Sequence, residues 1–152
     1  MKKLGIRLAI KMLDLRTKVK FEDSDGSGSY DHEENTVFIG TDCGRKELQV
    51  GFRKHIRNKH HYDGAHKFSE TLWTILHEMG HHFTLDNFDE SVDDEEAPIR
   101  SMCAMIPLNE AREKGIEDVY YDLPTEFAAT EWAINFIKSH PHKVRLLNLM
   151  VR

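Results

Sequence analysis

The feature that most constrains this chain is a pair of histidines, His77 and His81, four residues apart with Glu78 directly after the first. Apolar residues around them recur at helical spacing, which predicts an amphipathic helix over residues 69–84, and Ser69 is suited to cap its N-terminus. On a helix, four residues give about 6 Å of rise and nearly one full turn, so both imidazoles project side by side. Two imidazoles in that arrangement can bind one zinc ion at about 2.0–2.1 Å.

The glutamate of this motif suits a second task. Glu78 stands close enough to such an ion to hold its water without ligating it, and zinc lowers the pKa of a bound water toward about 7. A carboxylate in that place can take the proton as the water attacks a polarised carbonyl. Gly80 removes a side chain where another element can approach closely. The alternative interpretation is a surface helix with an incidental pair of histidines.

A third metal ligand is expected from a second helix over residues 125–139, which Pro124 can open. One face of this helix carries Glu126, Ala129, Thr130, Ala133 and Ile137. A carboxylate among small and apolar residues is costly unless it is paired or bound to a metal. We therefore expect Glu126 to be the third ligand, with Glu131 as the reserve candidate. The alternative for Glu126 is that it only complements the dipole at the N-terminus of this helix.

Length, charge and cysteine content narrow the class of protein. The 152 residues, 39% hydrophobic and 31% charged, suit a single globular domain spanning 1–152. A net charge of -5 offers no basic field for a phosphate backbone, so nucleic acid is not expected as a partner. No run approaches the roughly 20 apolar residues that span a membrane, so no membrane partner is expected either. Charged residues interrupt the N-terminal segment, and Cys43 and Cys103 lie far apart, which favours a cytoplasmic protein.

The remaining segments give a coarse plan of the chain. Residues 3–18 are predicted to form an amphipathic helix whose apolar stripe docks on the core, with a basic amphipathic membrane anchor as the alternative. The stripe consists of Leu4, Leu8, Met12 and Leu15, with Ile10 and Leu13 beside them. Strands are predicted at 19–21 and 36–39, and the pair can form a hairpin. The run 86–96 holds seven acidic residues and is typical of a mobile, solvated loop. Further helices are predicted at 46–58, 98–105, 108–114 and 143–150.

Two other segments invite a binding hypothesis. Residues Asp23–Glu34 fit the twelve-residue calcium-loop template, with Gly28 at the sharp turn and Glu34 at the bidentate position. Because strands rather than helices flank this segment, a polar turn is the main interpretation and Ca2+ binding the alternative. Residues 53–67 hold several histidines, lysines and arginines, which favour a solvated face, with a patch for an anionic partner as the alternative.

The sequence resembles the zincin metallopeptidases, whose active-site helix is similar to residues 76–83. The resemblance implies that His77 and His81 ligate zinc and that Glu78 is the catalytic base. The metzincin class is excluded, because Thr84 and Asn87 stand where it has Gly and His or Asp. Peptide deformylases use an upstream cysteine, but the sequence around Cys43 does not resemble theirs.

The spacing Glu-x-x-Ala-x-x-x-Ala that begins at Glu126 looks like the gluzincin-type peptidases related to the ImmA/IrrE group of phages, mobile elements and their bacterial hosts. Thr130 departs from that group, which often has an Asp there to hydrogen-bond a ligand histidine. The resemblance implies an α+β fold: a minimal zincin-like single domain in which the active-site helix packs with a second ligand-bearing helix and a small β-sheet.

The activity implied is that of a zinc-dependent metallo-endopeptidase that hydrolyses peptide bonds of a protein or peptide substrate, with a zinc-bound water activated by Glu78. Strand 36–39 is the candidate edge strand for an extended substrate. Tyr120, Tyr121 and His82 are candidates for stabilising the negative charge that develops on the substrate carbonyl. The alternative is a non-catalytic zinc-binding interaction protein of phage or mobile-element origin.

Overall fold

The computed structural model describes residues 2–24 and 28–152, which form α-helices around one small β-sheet and confirm the predicted α+β class. The helices are α1 (Lys3–Leu13), α2 (Lys46–Lys59), α3 (Glu70–Thr84), α4 (Ser91–Met105), α5 (Leu108–Lys114), α6 (Ile116–Tyr121), α7 (Pro124–Ser139) and α8 (Pro141–Val151). The strands are β1 (Lys18–Glu22), β2 (Gly28–Asp31) and β3 (Thr36–Gly40). Within these ranges no helix combines the length and apolar character that crossing a bilayer requires.

The centre of the fold is the contact between α3 and α7. Helix α3 is capped by Ser69, whose hydroxyl accepts the N–H of Leu72, as the sequence predicts. A Cβ placed on Gly80 would lie 2.3 Å from the carbonyl oxygen of Ala129, so only glycine permits this approach of the two helices. The expectation that small residues let α7 press against the histidine helix is therefore confirmed.

The sheet has the strand order β1-β3-β2 and corrects the predicted hairpin. β1 and β3 are parallel, with Lys18 opposite Thr36, and the antiparallel partner of β3 is β2. A strand was not expected at β2, because Gly28–Asp31 contains no β-branched residue. β3 is consequently the central strand and all of it but Phe38 is buried, so the prediction that 36–39 is an edge strand is wrong. The edge position beside α3 belongs to β2.

Helix α1 buries a different face from the one predicted. Leu4 and Leu8 are 71% and 48% exposed, and Met12 and Leu15 are exposed with them. Ile10, predicted beside the stripe, is fully buried together with Ile6. Gly5 explains which face is buried, because its lack of a side chain lets α8 approach on this side. A Cβ at this position would lie 1.9 Å from the carbonyl oxygen of Met150.

The helix is also shorter than the predicted 3–18. Asp14 has an extended backbone, and its Oδ1 accepts the N–H of Arg16 at 2.8 Å. This local hydrogen bond competes with continuation of the helix, which therefore ends at Leu13.

The acidic run 86–96 is a loop only in its first half. Residues 86–90 are 3₁₀ or irregular, and from Ser91 the run is part of α4. Asp93 and Asp94 occupy the first turn of that helix, where the helix dipole favours negative charge. The composition of this segment suggests a solvated loop, but Asp93 and Asp94 lie where their negative charges stabilise the start of a helix.

The calcium-loop segment Asp23–Glu34 does not form one loop either. Gly28–Asp31 is strand β2, and Asp31 Oδ1 accepts the N–H of Glu34 at 3.1 Å. Residues 25–27, two of which the calcium template uses, lie outside the described residues. The continuous loop that the Ca2+ prediction requires is thus replaced by a strand over its middle third.

Candidate metal centre

The two motif histidines and Glu126 meet between α3 and α7. Glu126 Oε2 lies 2.7 Å from His77 Nε2 and 3.3 Å from His81 Nε2. The ligand atoms of all three residues lie within 4.8 Å of one another. In a tetrahedral zinc site with bonds of about 2.0–2.1 Å, neighbouring ligand atoms stand roughly 3.3 Å apart. Two imidazoles and a carboxylate at this spacing can hold a metal ion, and the donor set is one that zinc favours.

Burial explains why Glu126 belongs to this cluster and Glu131 does not. Glu126 is only 1% exposed and lies in the first turn of α7, directly after Pro124 opens the helix. Glu131 lies on another face of α7, where its Oε2 is 2.5 Å from His60 Nδ1 and its side chain is 48% exposed. The structure therefore brings the primary candidate into the cluster and leaves the reserve candidate outside it.

Thr130 takes the position at which the peptidases that the sequence resembles often have an Asp. Its hydroxyl donates to the carbonyl oxygen of Glu126 at 3.0 Å, and its oxygen lies 3.2 Å from His77 Nδ1. Because the hydroxyl proton is already used, this geometry favours a proton on Nδ1 that Thr130 accepts. Nε2 of His77 then faces the cluster, and its lone pair becomes available to a metal ion once the proton that it donates to Glu126 Oε2 in the metal-free chain is lost.

The second oxygen of Glu126 has partners that the sequence reasoning did not foresee. Oε1 accepts a hydrogen bond from Arg100 Nη1 at 2.6 Å and one from the Tyr120 hydroxyl at 3.1 Å. Arg100 comes from α4, in the neighbourhood of the misjudged acidic run, and no motif spacing pointed to it. Tyr120 comes from α6 and was one of three aromatic or histidine candidates.

Glu96 forms hydrogen bonds both to Arg100 and to the first turn of α7. It is 2% exposed, its Oε1 accepts the N–H of Thr125 at 2.9 Å, and its Oε2 accepts Arg100 Nη2 at 2.9 Å. The Thr125 hydroxyl donates to the same Oε2 at 2.5 Å. The first turn of α7, which carries Glu126, is therefore held to α4 by charge-assisted hydrogen bonds. A signal for this role was present in the sequence, since Glu96 and Arg100 have helical i,i+4 spacing.

The pKa values of Glu126 in the cluster and of Glu78 beside it are shifted in opposite directions. Burial by itself raises the pKa of Glu126, but the hydrogen bonds to His77 and His81 outweigh it and hold that pKa well below the usual value. Burial also raises the pKa of Glu78, where the attraction of the two imidazoles only partly opposes it. Glu126 is thus kept ionised as a ligand should be, and Glu78 has the higher proton affinity.

Glu78 stands beside the cluster without a partner of its own. It is 6% exposed, and none of the hydrogen bonds or ion pairs among the described residues involves its carboxylate. Strand β2 runs against it, because a Cβ on Gly28 would lie 3.2 Å from Glu78 Cγ and 2.8 Å from Thr74 Cγ2. Gly28, expected as the turn of a calcium loop, instead allows the backbone of β2 to pass over the histidine helix.

A cleft of about 650 Å³ opens onto the cluster. His81, Glu78 and Glu126 line it together with Arg100 and Tyr120. One wall is strand β2, and the opposite rim is the acidic segment that leads into α4. The volume lies within the range of ordinary ligand sites, about 300–1,000 Å³. A substrate can therefore reach the candidate metal ligands from solvent.

Three other candidates are not among the residues that line the cleft, although the Tyr121 ring lies 6.4 Å from that of His77. His82 is 2.8 Å from the Tyr30 hydroxyl through Nδ1 and 2.7 Å from Asp14 Oδ2 through Nε2, so it ties α3 to β2 and to the end of α1. Tyr121 packs its ring against Phe52, with centroids 5.1 Å apart. Cys43 is a free, buried thiol whose pKa is raised by burial, and in the described part of the chain it does not join the metal-ligand cluster.

Comparisons with protein-family models, with curated protein sequences and with solved structures found no match.

Proposed function

We propose that this protein is a zinc-dependent metallopeptidase of the zincin type, similar to the gluzincin-type enzymes of the ImmA/IrrE group, which hydrolyses peptide bonds of a protein or peptide substrate. The observation that carries the proposal is the combination of the His77–His81–Glu126 cluster with the unpartnered carboxylate of Glu78 on the wall of the same cleft. A site built only for structure closes its fourth position with a protein ligand and has no use for such a base.

The contacts suggest a separate role for each residue of the site. His77, His81 and Glu126 would hold the ion, and a bound Zn2+ would supply Lewis-acid chemistry by polarising a carbonyl and acidifying water. Glu78 accepts the proton of the attacking water and passes it to the leaving amine. In the metal-free chain burial raises the pKa of Glu78, which makes its carboxylate more basic than that of an exposed glutamate.

Hydrogen-bond donors for the negative charge that develops on the substrate carbonyl come from Arg100 and Tyr120. Both line the cleft, and both already point at Glu126 Oε1, at 2.6 Å and 3.1 Å. Burial and the negative charge of Glu126 raise the pKa of Tyr120, which keeps its hydroxyl protonated as a donor. Because both donors are engaged with Glu126 in the free protein, each would have to turn toward the substrate oxygen when the substrate binds.

The substrate would bind as an extended strand along β2. This strand pairs with β3 on one side and lines the cleft through Gly28, Ser29 and Tyr30. A sheet edge beside the reacting groups gives a peptide backbone its hydrogen-bond partners and places successive side chains alternately toward and away from the cleft.

The test separates metal binding from catalysis. Protein purified without chelator is expected to contain about one zinc per chain by mass spectrometry, and the zinc-loaded protein to cleave a randomised peptide library. Glu78→Gln should keep the zinc and abolish cleavage, since the amide cannot accept the proton. Glu131→Gln, on the same helix as a ligand but outside the cluster, should change neither. Cleavage retained by Glu78→Gln would overturn the proposal, and zinc without any cleavage by the parent protein would favour the non-catalytic zinc-binding alternative.

A further inference from the structure

A second cavity, of about 630 Å³, lies between the C-terminal end of α7, helix α8 and residues 62–68. It shares no lining residue with the cleft at the metal cluster. Four cationic side chains line it: Lys67, Lys138, Arg145 and Arg152. None of the described residues that line it is an aspartate or a glutamate. We refer to it as the basic cavity.

The concentration of positive charge is unexpected in a chain with a net charge of -5. None of the four cations forms an ion pair with a carboxylate in the ranges that the structure describes, although many other lysines and arginines of the chain do. Four unneutralised cations facing one cavity repel each other, and this repulsion is relieved when an anion binds.

The remaining walls suit an organic ligand rather than a bare ion. Tyr62 and Phe68 line the cavity, and Lys138 Nζ lies 5.6 Å from the centroid of the Tyr62 ring. Ile137 and Leu149 add apolar surface. Apolar and aromatic walls with a few convergent charges are typical of small-molecule sites, and about 630 Å³ is within their usual volume.

We propose that the basic cavity binds a small phosphorylated organic anion of nucleotide size, with its phosphates on Lys67, Lys138 and Arg145 and its ring system against Tyr62 and Phe68. The four cationic residues, all of them exposed, line a single cavity, which favours a compact polyanion over a nucleic-acid strand. Arginine and lysine together supply both the bidentate and the point-charge contacts that phosphates use.

The site is separate from the metal centre yet shares its scaffold. Lys138 follows Glu126 by twelve residues on α7, which corresponds to about 18 Å along the helix. Asn148 in the wall of the cavity accepts the N–H of Ser69, the N-cap residue of α3, at 2.9 Å through Oδ1. The basic cavity therefore contacts the ends of both helices that carry the metal ligands.

The experiment uses the full chain, stripped of metal with EDTA and then dialysed free of it, so that nucleotide binding through a metal ion is excluded. Isothermal titration with ATP, inorganic tripolyphosphate, inorganic phosphate and adenosine measures the two halves of the proposed ligand separately. We expect ATP to bind more tightly than tripolyphosphate, and both to weaken as salt rises. Adenosine and inorganic phosphate should bind at least about tenfold more weakly than ATP, since each makes only part of the contacts.

Charge reversal assigns the binding to this cavity. Arg145→Glu and, independently, Lys67→Glu should weaken ATP binding at least about tenfold, because each removes a charge-assisted contact and adds a repulsive charge. Lys54→Glu makes the same change in net charge at an exposed position of α2 outside the cavity and should leave ATP binding unchanged. Circular dichroism identifies any variant that fails to fold. If one of the two cavity variants does not fold, the affinity of the other for ATP tests the proposal.

Three outcomes would overturn the proposal. The first is that ATP shows no saturable binding up to millimolar concentration. The second is that Lys54→Glu loses as much affinity as the two cavity variants, which means that binding reflects net charge alone. The third is that a single-stranded oligonucleotide binds more tightly than ATP and is sensitive to the same variants, which would assign the cavity to nucleic acid.

Discussion

The close approach of α3 and α7 at Gly80 provides the sharpest test of how the fold forms the metal centre. A Cβ on this residue would lie 2.3 Å from the carbonyl oxygen of Ala129 and 2.9 Å from its carbonyl carbon, both of them backbone atoms that cannot rotate away. Since Cβ atoms are essentially never closer than 3.0 Å to such atoms, Gly80→Ala must push α7 outward by about 1 Å. Glu126 moves with α7, whereas both ligand histidines stay on α3.

The expected result has two parts. Overpacking of this kind costs about 1–3 kcal/mol of stability, from which the better helix propensity of alanine returns up to about 1 kcal/mol. Metal ligands tolerate displacements of only about 0.2 Å, so a shift of about 1 Å should weaken zinc binding at least about tenfold. Urea denaturation of the metal-free protein measures the first quantity, and competition with a chromogenic zinc chelator measures the second.

Gly5→Ala is the matched control. Its Cβ would lie 1.9 Å from the carbonyl oxygen of Met150, so it forces apart α1 and α8 by a similar distance without touching the cluster. We expect Gly5→Ala to lose stability but to bind zinc with unchanged affinity in the folded state. If Gly80→Ala binds zinc as tightly as the parent protein does, the reasoning that this helix contact positions Glu126 is refuted.

Three further substitutions test individual contacts. Thr130→Val keeps the shape of the side chain but removes the oxygen that faces His77 Nδ1, and zinc affinity should fall about 10–100-fold, with unchanged affinity as the contrary result. Arg100→Ala leaves Glu126 buried without its cation, and unfolding in urea should show a loss of about 1–3 kcal/mol, whereas a loss below about 0.5 kcal/mol would contradict the contact. Hydrogen bonds from His55 and Lys59 outweigh burial and hold the pKa of Asp122 below its usual 3.8. This carboxylate therefore stabilises the folded state above pH 3.8, and the stabilisation is lost as pH falls through the lowered pKa. Asp122→Asn should therefore flatten the acid side of the stability profile below about pH 4, measured by urea titration at several pH values, and an unchanged acid slope would exclude the contribution.

The histidine helix could be predicted well because local signals agree there. The apolar periodicity, the Ser69 cap and the histidine spacing all indicate the same element, and α3 spans Glu70–Thr84. Glu126 could be predicted because a carboxylate on a face of small residues is a strong anomaly. These are signals that a short stretch of sequence carries by itself.

The other parts of the site depend on contacts between distant segments. Strand β2 has a sequence of low strand propensity and forms because β3 pairs with it and α3 packs on it. Helix α1 has apolar residues on two faces, and only the position of α8 decides which face is buried. Arg100 is recognisable only when Glu96 and Glu126 are in place around it, so its role could not be read from spacing alone.

The position of the candidate ligands along the chain has a consequence for folding. An ion held by His81 and Glu126 would join two points about 45 residues apart, and the enclosed segment includes all of α4, α5 and α6. A cross-link over a loop of that length restricts the unfolded chain by an amount worth about 4 kcal/mol in the loop-entropy treatment used for disulfides. The metal would then act as a reversible cross-link, and a chelator that removed it would loosen the middle third of the molecule as well as the site.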